Sequence, residues 1–320
     1  MCILVKFIYF LYNFGNMERK VVKHGASTLT ISLPSKWARA NKIKNGDFLD
    51  LEISKDRLIV SCSEEKHFED IETTLTGEEE WYVNRILRHL YTSGYDEIRI
   101  NYDNPKQLEL IRKAIVKLTG MEIVESKPKY CLLKCVISSD DSDYAQIVDR
   151  IFWLIHSQFD YFQEDCKKGT TSMRNEVAEI HVTVLKLNNL CRRMINKKPL
   201  YDSTISKYVY WFLTSLLNIS SYILFSYDYI SKIKKIELSE RELKLIKNAS
   251  DFYYKLLLAY KNLNIEKTRE FFEEREALFD DVLEVLEDKN PVVTHYFLDI
   301  LKEMSSIGNL IIAIKVNEKK

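Results

Sequence analysis

Hydrophobic and polar positions change their period twice along this 320-residue chain. From Arg19 to Ser63 they alternate, the two-residue period of strands with one buried face. The pattern predicts a strand (Arg19–Lys23), a turn at His24-Gly25 and a second strand (Thr28–Leu33). A short helix opened by Pro34, a turn at Asn45-Gly46 and paired strands (Phe48–Ile53, Arg57–Ser61) follow. So short a β-α-β unit holds little core of its own, and pairing with another copy is expected.

The second pattern mixes periods. Residues 64–77, acidic and rich in Thr, read as a linker or an added strand. EEEWYVNRILRHLYTSG reads as a helix with Trp81, Ile86, Leu87 and Leu90 on one side and Gly94 as its stop. DEIRINY reads as a strand, and a helix capped by Asn104 with Pro105 in its first turn follows. MEIVES and YCLLKCVI form a hairpin around Lys127-Pro128. The order predicts a small α/β sandwich of ferredoxin-like type over residues 64–138.

After SSDDSD the period is helical throughout, in six stretches: 142–166, 171–197, 201–230, 239–262, 264–288 and 291–316. In the first, Val148, Ile151, Phe152, Ile155, Phe159 and Phe162 fall on one stripe. LTSLLNISSYIL (213–224) aligns without gaps on LKEMSSIGNLII (301–312). The economical reading is two three-helix bundles in tandem, residues 139–233 and 234–320. Residues 208–227 contain no charge and satisfy a length rule for membrane spans, but Ser, Thr and Asn interrupt them and a buried bundle helix fits better.

Charge sharpens the first segment. The chain carries 47 basic and 47 acidic residues, so polyanion binding by net charge is excluded and only local asymmetry is informative. Arg19, Lys20, Lys23, Lys36, Arg39, Lys42 and Lys44 form an acid-free run, whereas residues 45–80 carry 12 carboxylates against Lys55, Arg57 and Lys66. Cations without carboxylates, on a strand-helix unit, are the footprint of a phosphate-contacting surface. The six cysteines are dispersed, which fits a reduced, cytoplasmic protein rather than a disulfide scaffold. Residues 1–16 read as a translation start placed too early or a disordered leader, with a peripheral anchor as the lesser reading.

RKVVKHG, TLTISLP, SKWARANKI, KNGD and the closing strand pair resemble the AbrB-type swapped-hairpin DNA-binding domain, here residues 17–63. In that family two chains interleave into one β-barrel, and basic residues of the first strand and short helix meet DNA. The resemblance marks Arg19, Lys20, Lys23, Lys36 and Arg39, while Ala26 stands where bacterial relatives place an arginine. The helical part resembles the PhoU family of phosphate-uptake regulators, and the whole order is similar to archaeal phosphate uptake regulators.

PhoU proteins hold metal ions on acidic ExxxD pairs of facing helices. Glu276 and Asp280 keep that spacing, Glu176 and Glu179 lack the aspartate, and residues 217–221 and 305–309 lack the family's carboxylates. A divalent metal is therefore at most a weak expectation at Glu276 and Asp280, and no other cofactor is expected. No phosphate-binding glycine loop, zinc-protease motif or nucleophile elbow occurs, and the six histidines are isolated, so no enzyme is expected. The sequence reads as a homodimeric transcriptional regulator of phosphate uptake. The alternative is an adaptor that restrains a phosphate transporter or sensor at the membrane surface, its AbrB-like part only dimerising.

Overall fold

The computed structural model describes residues 18–25, 27–54, 57–62, 70–137, 144–197, 203–233, 237–262 and 265–318. The leader, Ala26 and the SSDDSD junction lie outside the described residues. The chain is mixed α+β and divides into two units, Met1–Glu64 and Glu65–Lys320.

In the first unit, β1 (Val22–His24) and β2 (Thr28–Thr30) form an antiparallel hairpin, with Lys23 opposite Leu29. Gly25 turns between them at φ +76°, a conformation that costs a residue without Cβ little. Helix α1 (Ser35–Ala40) begins one residue later than expected: Pro34 is its extended N-cap and accepts the Ala38 amide at 2.9 Å. It ends at Ala40, where Asn41 folds its side-chain amide back onto the Trp37 carbonyl and Lys42 turns out at φ +55°. Asp47 then closes the KNGD turn by accepting the Lys44 amide at 2.7 Å. Strands β3 (Leu49–Ser54) and β4 (Arg57–Cys62) pair antiparallel, which brings Leu51 opposite Val60 and Ile53 opposite Leu58.

The second unit opens with β5 (Ile71–Thr74), so the acidic stretch contains an added strand. Then come α2 (Glu80–Ser93), β6 (Glu97–Asn101), α3 (Pro105–Ile115), β7 (Met121–Lys127) and β8 (Tyr130–Cys135). The sheet order is β5-β6-β8-β7, with β5 and β6 parallel and the other pairs antiparallel. This corrects the ferredoxin-like expectation. That fold requires β-α-β-β-α-β connectivity, whereas here two strand-helix units precede a terminal hairpin whose second strand docks beside β6. Asn104 caps α3 by accepting the Gln107 amide at 3.1 Å, and Gly94 ends α2 in the left-handed region, both as read from sequence.

Trp81 is a second correction. The buried stripe of α2 is Val83, Leu87 and Tyr91, and Trp81 is 60% exposed. Two residues before Val83 is about 200° around a helix, so a tryptophan there cannot share the stripe.

Six helices complete the unit: α4 (Tyr144–Lys168), α5 (Arg174–Lys197), α6 (Ser203–Ile230), α7 (Glu240–Asn262), α8 (Ile265–Val285) and α9 (Pro291–Glu318). The first three pack mutually, as do the last three, and the two sets join along α6–α9 and α4–α7 in one continuous core. The predicted α4 stripe is fully buried. The internal alignment also has a structural counterpart. Leu213, Leu216, Ile219 and Ile223 of α6 are buried, and so are Leu301, Met304, Ile307 and Ile311, their counterparts in α9. One described helix, Ile205–Ile230, is long and apolar enough to cross a membrane by length and composition; half of that stretch is buried against its neighbours.

The α/β layer and the helices are joined by a clasp that the sequence does not announce. Arg193 of α5, 3% exposed, donates to the Tyr91 and Tyr95 carbonyls at 2.9 and 2.8 Å and pairs with Asp96. Lys197 also reaches Asp96, at 2.7 Å, and Asn196 donates to the Thr92 carbonyl at 2.7 Å. Carbonyls left over at the end of α2 thus receive donors from α5.

Candidate nucleic-acid interface

All five residues marked for DNA contact, Arg19, Lys20, Lys23, Lys36 and Arg39, are exposed, as are Lys42 and Lys44. They fall into two groups. Arg19 and Lys20 lead into β1, and Lys23 lies on the hairpin face it shares with Leu29. Lys36 and Arg39 stand three positions apart on α1, hence on one side of that helix, and Arg39 Nε donates to the Ser35 carbonyl at 3.3 Å. No acidic residue lies in the first turn of α1, and Arg39 occupies its last.

What surrounds these cations is equally informative. No side chain described in this unit is buried. Val21, Val22, Leu29, Ile31, Phe48, Leu51, Ile53 and Leu58 are each at least 50% exposed, with Phe48 at 91%. Leu51, Ile53, Leu58 and Val60 share one face of the β3–β4 ribbon through their register. Two-stranded ribbons alone are marginal in water, and an apolar face of this extent needs a cover.

The metal expectation meets a different arrangement. The inward stripe of α8 is Phe271, Leu278, Val282 and Val285, which leaves Glu276 and Asp280 on its exposed side, Glu276 paired to Arg275. Phe271 stacks on Phe252 at 4.1 Å between ring centroids and occupies the space that Gly308 leaves open on α9. Among the described residues no group of three or more His, Cys, Asp or Glu side chains converges on one point.

Several titratable side chains of the second unit are held by hydrogen bonds or by burial. Asp165 is buried at the end of α4 and accepts from Thr170 Oγ1 (2.6 Å), Ser172 Oγ (2.7 Å), the Met173 amide (2.8 Å) and the Tyr227 hydroxyl (3.2 Å). Burial alone would raise its pKa, but these donors outweigh it and hold the carboxyl below the ordinary value. At the start of α7, Glu242 forms a capping box with Ser239 and also accepts the Asn290 amide at 2.6 Å. His181 meets Ser220 Oγ at 3.0 Å, and burial lowers its pKa. Burial pushes the Cys131 and Cys191 thiols up to about 11 and about 12, so neither is a nucleophile at neutral pH.

Sequence reading missed one further set of cations, Arg85, Arg88, His89 and Arg192, in the second unit. The signal was present as three helical stretches without a carboxylate, residues 81–93, 180–197 and 203–227. Compared with known proteins, the chain matches no family model, and no curated protein matches it at a significant level.

Proposed function

We propose that this chain is a DNA-binding regulator whose N-terminal unit works as an intertwined pair of AbrB-like type, with PhoU-like helices carrying a signal tied to phosphate supply. The observation that carries the reading is the coincidence, in one unit, of an acid-free set of seven cations and an exposed apolar surface, with no buried side chain among those described. A second copy covers the apolar face, and the pair then offers about twice those cations to one duplex. Backbone phosphates are the natural partners of such a surface, and neutralising them releases counterions.

The expected outcome is salt-sensitive binding to duplex DNA by the full chain. Replacing Lys36 and Arg39 by Ala removes two cations per copy, four per pair, and would flatten the slope of log affinity against log salt by up to about 4. Fluorescence anisotropy across a salt series measures this. A wild-type chain that pairs but shows no salt-sensitive binding would instead favour the adaptor reading, with the first unit serving only for dimerisation.

A further inference from the structure

The three acid-free helical stretches meet in space: α2 packs on α5, and α5 on α6. On α2, Arg85 follows Trp81 by four positions, and Arg88 and His89 follow Arg85 by three and four, so the four lie on one face. The Arg85 guanidinium lies over the Trp81 ring at 5.5 Å. From α5, Arg192 reaches across to α6, where Nη2 donates to Thr214 Oγ1 at 3.0 Å and the guanidinium lies 4.7 Å from the Tyr210 ring centroid.

Charge at this face is not balanced. Next door, Arg193 and Lys197 share Asp96. Among the described residues, no carboxylate pairs with Arg85, Arg88 or Arg192. The Arg192 Nε is buried without an acceptor, and three positions earlier on the same helix Asn189, 1% exposed, has both amide atoms without a partner. Burial first, then the charges of Arg88, Arg192 and Arg85, hold His89 below its ordinary pKa. Burial first, and Arg88's charge among the rest, do the same to Arg192 against the opposing effect of Tyr210.

Buried donors without acceptors and unpaired like charges are both relieved by one thing, an anion. We propose that the face formed by Arg85, Arg88, His89 and Arg192 binds an oxyanion of the phosphoryl class, gripped between the guanidiniums of Arg88 and Arg192. Guanidinium forks match phosphate oxygens in two-point contacts, and a doubly charged anion suits a cluster of three guanidiniums and an imidazole. This site stands on the second unit alone and does not rest on DNA binding by the first.

The test is isothermal titration of the full chain with inorganic phosphate, with glycerol phosphate as a small phosphate ester, and with chloride at matched ionic strength. Binding to phosphate, to the ester or to both, beyond the chloride response, is expected. A preference between the two identifies whether the physiological group is free or esterified. Arg88→Ala should weaken it at least tenfold while leaving the unliganded melting temperature unchanged or higher, since a like-charge repulsion is lost. Arg192→Lys, which keeps the charge but not the fork, should also weaken it. By linkage, the imidazole of His89 followed by NMR should titrate at higher pH with phosphate bound. Lys36→Ala/Arg39→Ala should bind phosphate as wild type does, so that failure here and failure of DNA binding are read separately. A wild-type response equal to chloride, or full phosphate binding by Arg88→Ala, overturns the proposal.

Discussion

Asp165 and Gly308 illustrate how single positions in the helical core carry measurable consequences. Asp165 is stabilised as a carboxylate by four donors that arrive from the turn after α4 and from α6. A carboxyl whose folded pKa lies below its unfolded one contributes stability above the unfolded value, near 4, and loses it as pH falls through the folded value. Asp165→Asn should therefore lower stability at pH 7 by about 1–3 kcal/mol, with the deficit shrinking toward pH 3, measured as urea midpoints at both pH values. Gly308 faces a different constraint: a Cβ there would lie 2.7 Å from the Phe271 ring. Gly308→Ala should cost about 1–3 kcal/mol in denaturant melts, because Phe271 is wedged against Phe252 and cannot yield freely. Neither role was legible in the sequence, where Asp165 is one acid among many and Gly308 stands in a run of small residues.

At the scale of elements, periodicity served well where one face of a helix meets a broad core. The α4 stripe and the buried positions shared by α6 and α9 were readable because every third or fourth residue is apolar and the polar ones fall between. It failed at Trp81, a large apolar side chain whose phase sets it off the buried stripe and on the side of α2 that carries Arg85, Arg88 and His89. Sheet connectivity was also hidden, since strand order depends on which edge β8 finds and not on the local pattern. The clasp between α2 and α5 was invisible because three of its acceptors are the backbone carbonyls of Tyr91, Thr92 and Tyr95, which no side-chain pattern marks. Arg193→Met keeps much of the volume but removes those donors and leaves Asp96 with Lys197 alone. It should raise hydrogen exchange at the end of α2 well before it affects the α4 core, as mass spectrometry after brief exchange would register.

For the whole molecule, the two units place opposite demands on the chain. The second encloses one core within its helices and another within its α/β layer, and the Arg193 clasp ties the two together. The first exposes its apolar residues together with its cations, and its account depends on a second copy. Ile53→Lys, placed on the apolar face of the β3–β4 ribbon, should abolish pairing and DNA binding together while leaving the second unit folded by near-ultraviolet circular dichroism. The strands, turns and charge asymmetry of this unit were legible in the sequence. That none of the described side chains of this unit is buried emerged only from the structure.

The most direct measurement is sedimentation velocity of the full chain with labelled duplex DNA at about 50 and about 200 mM salt. The expected result is a species of two chains per duplex at the lower salt that dissociates into free duplex and paired protein at the higher, with affinity falling by about 10³ or more. A chain that sediments as a monomer, or one that pairs and leaves the duplex unshifted at both salt concentrations, would contradict it.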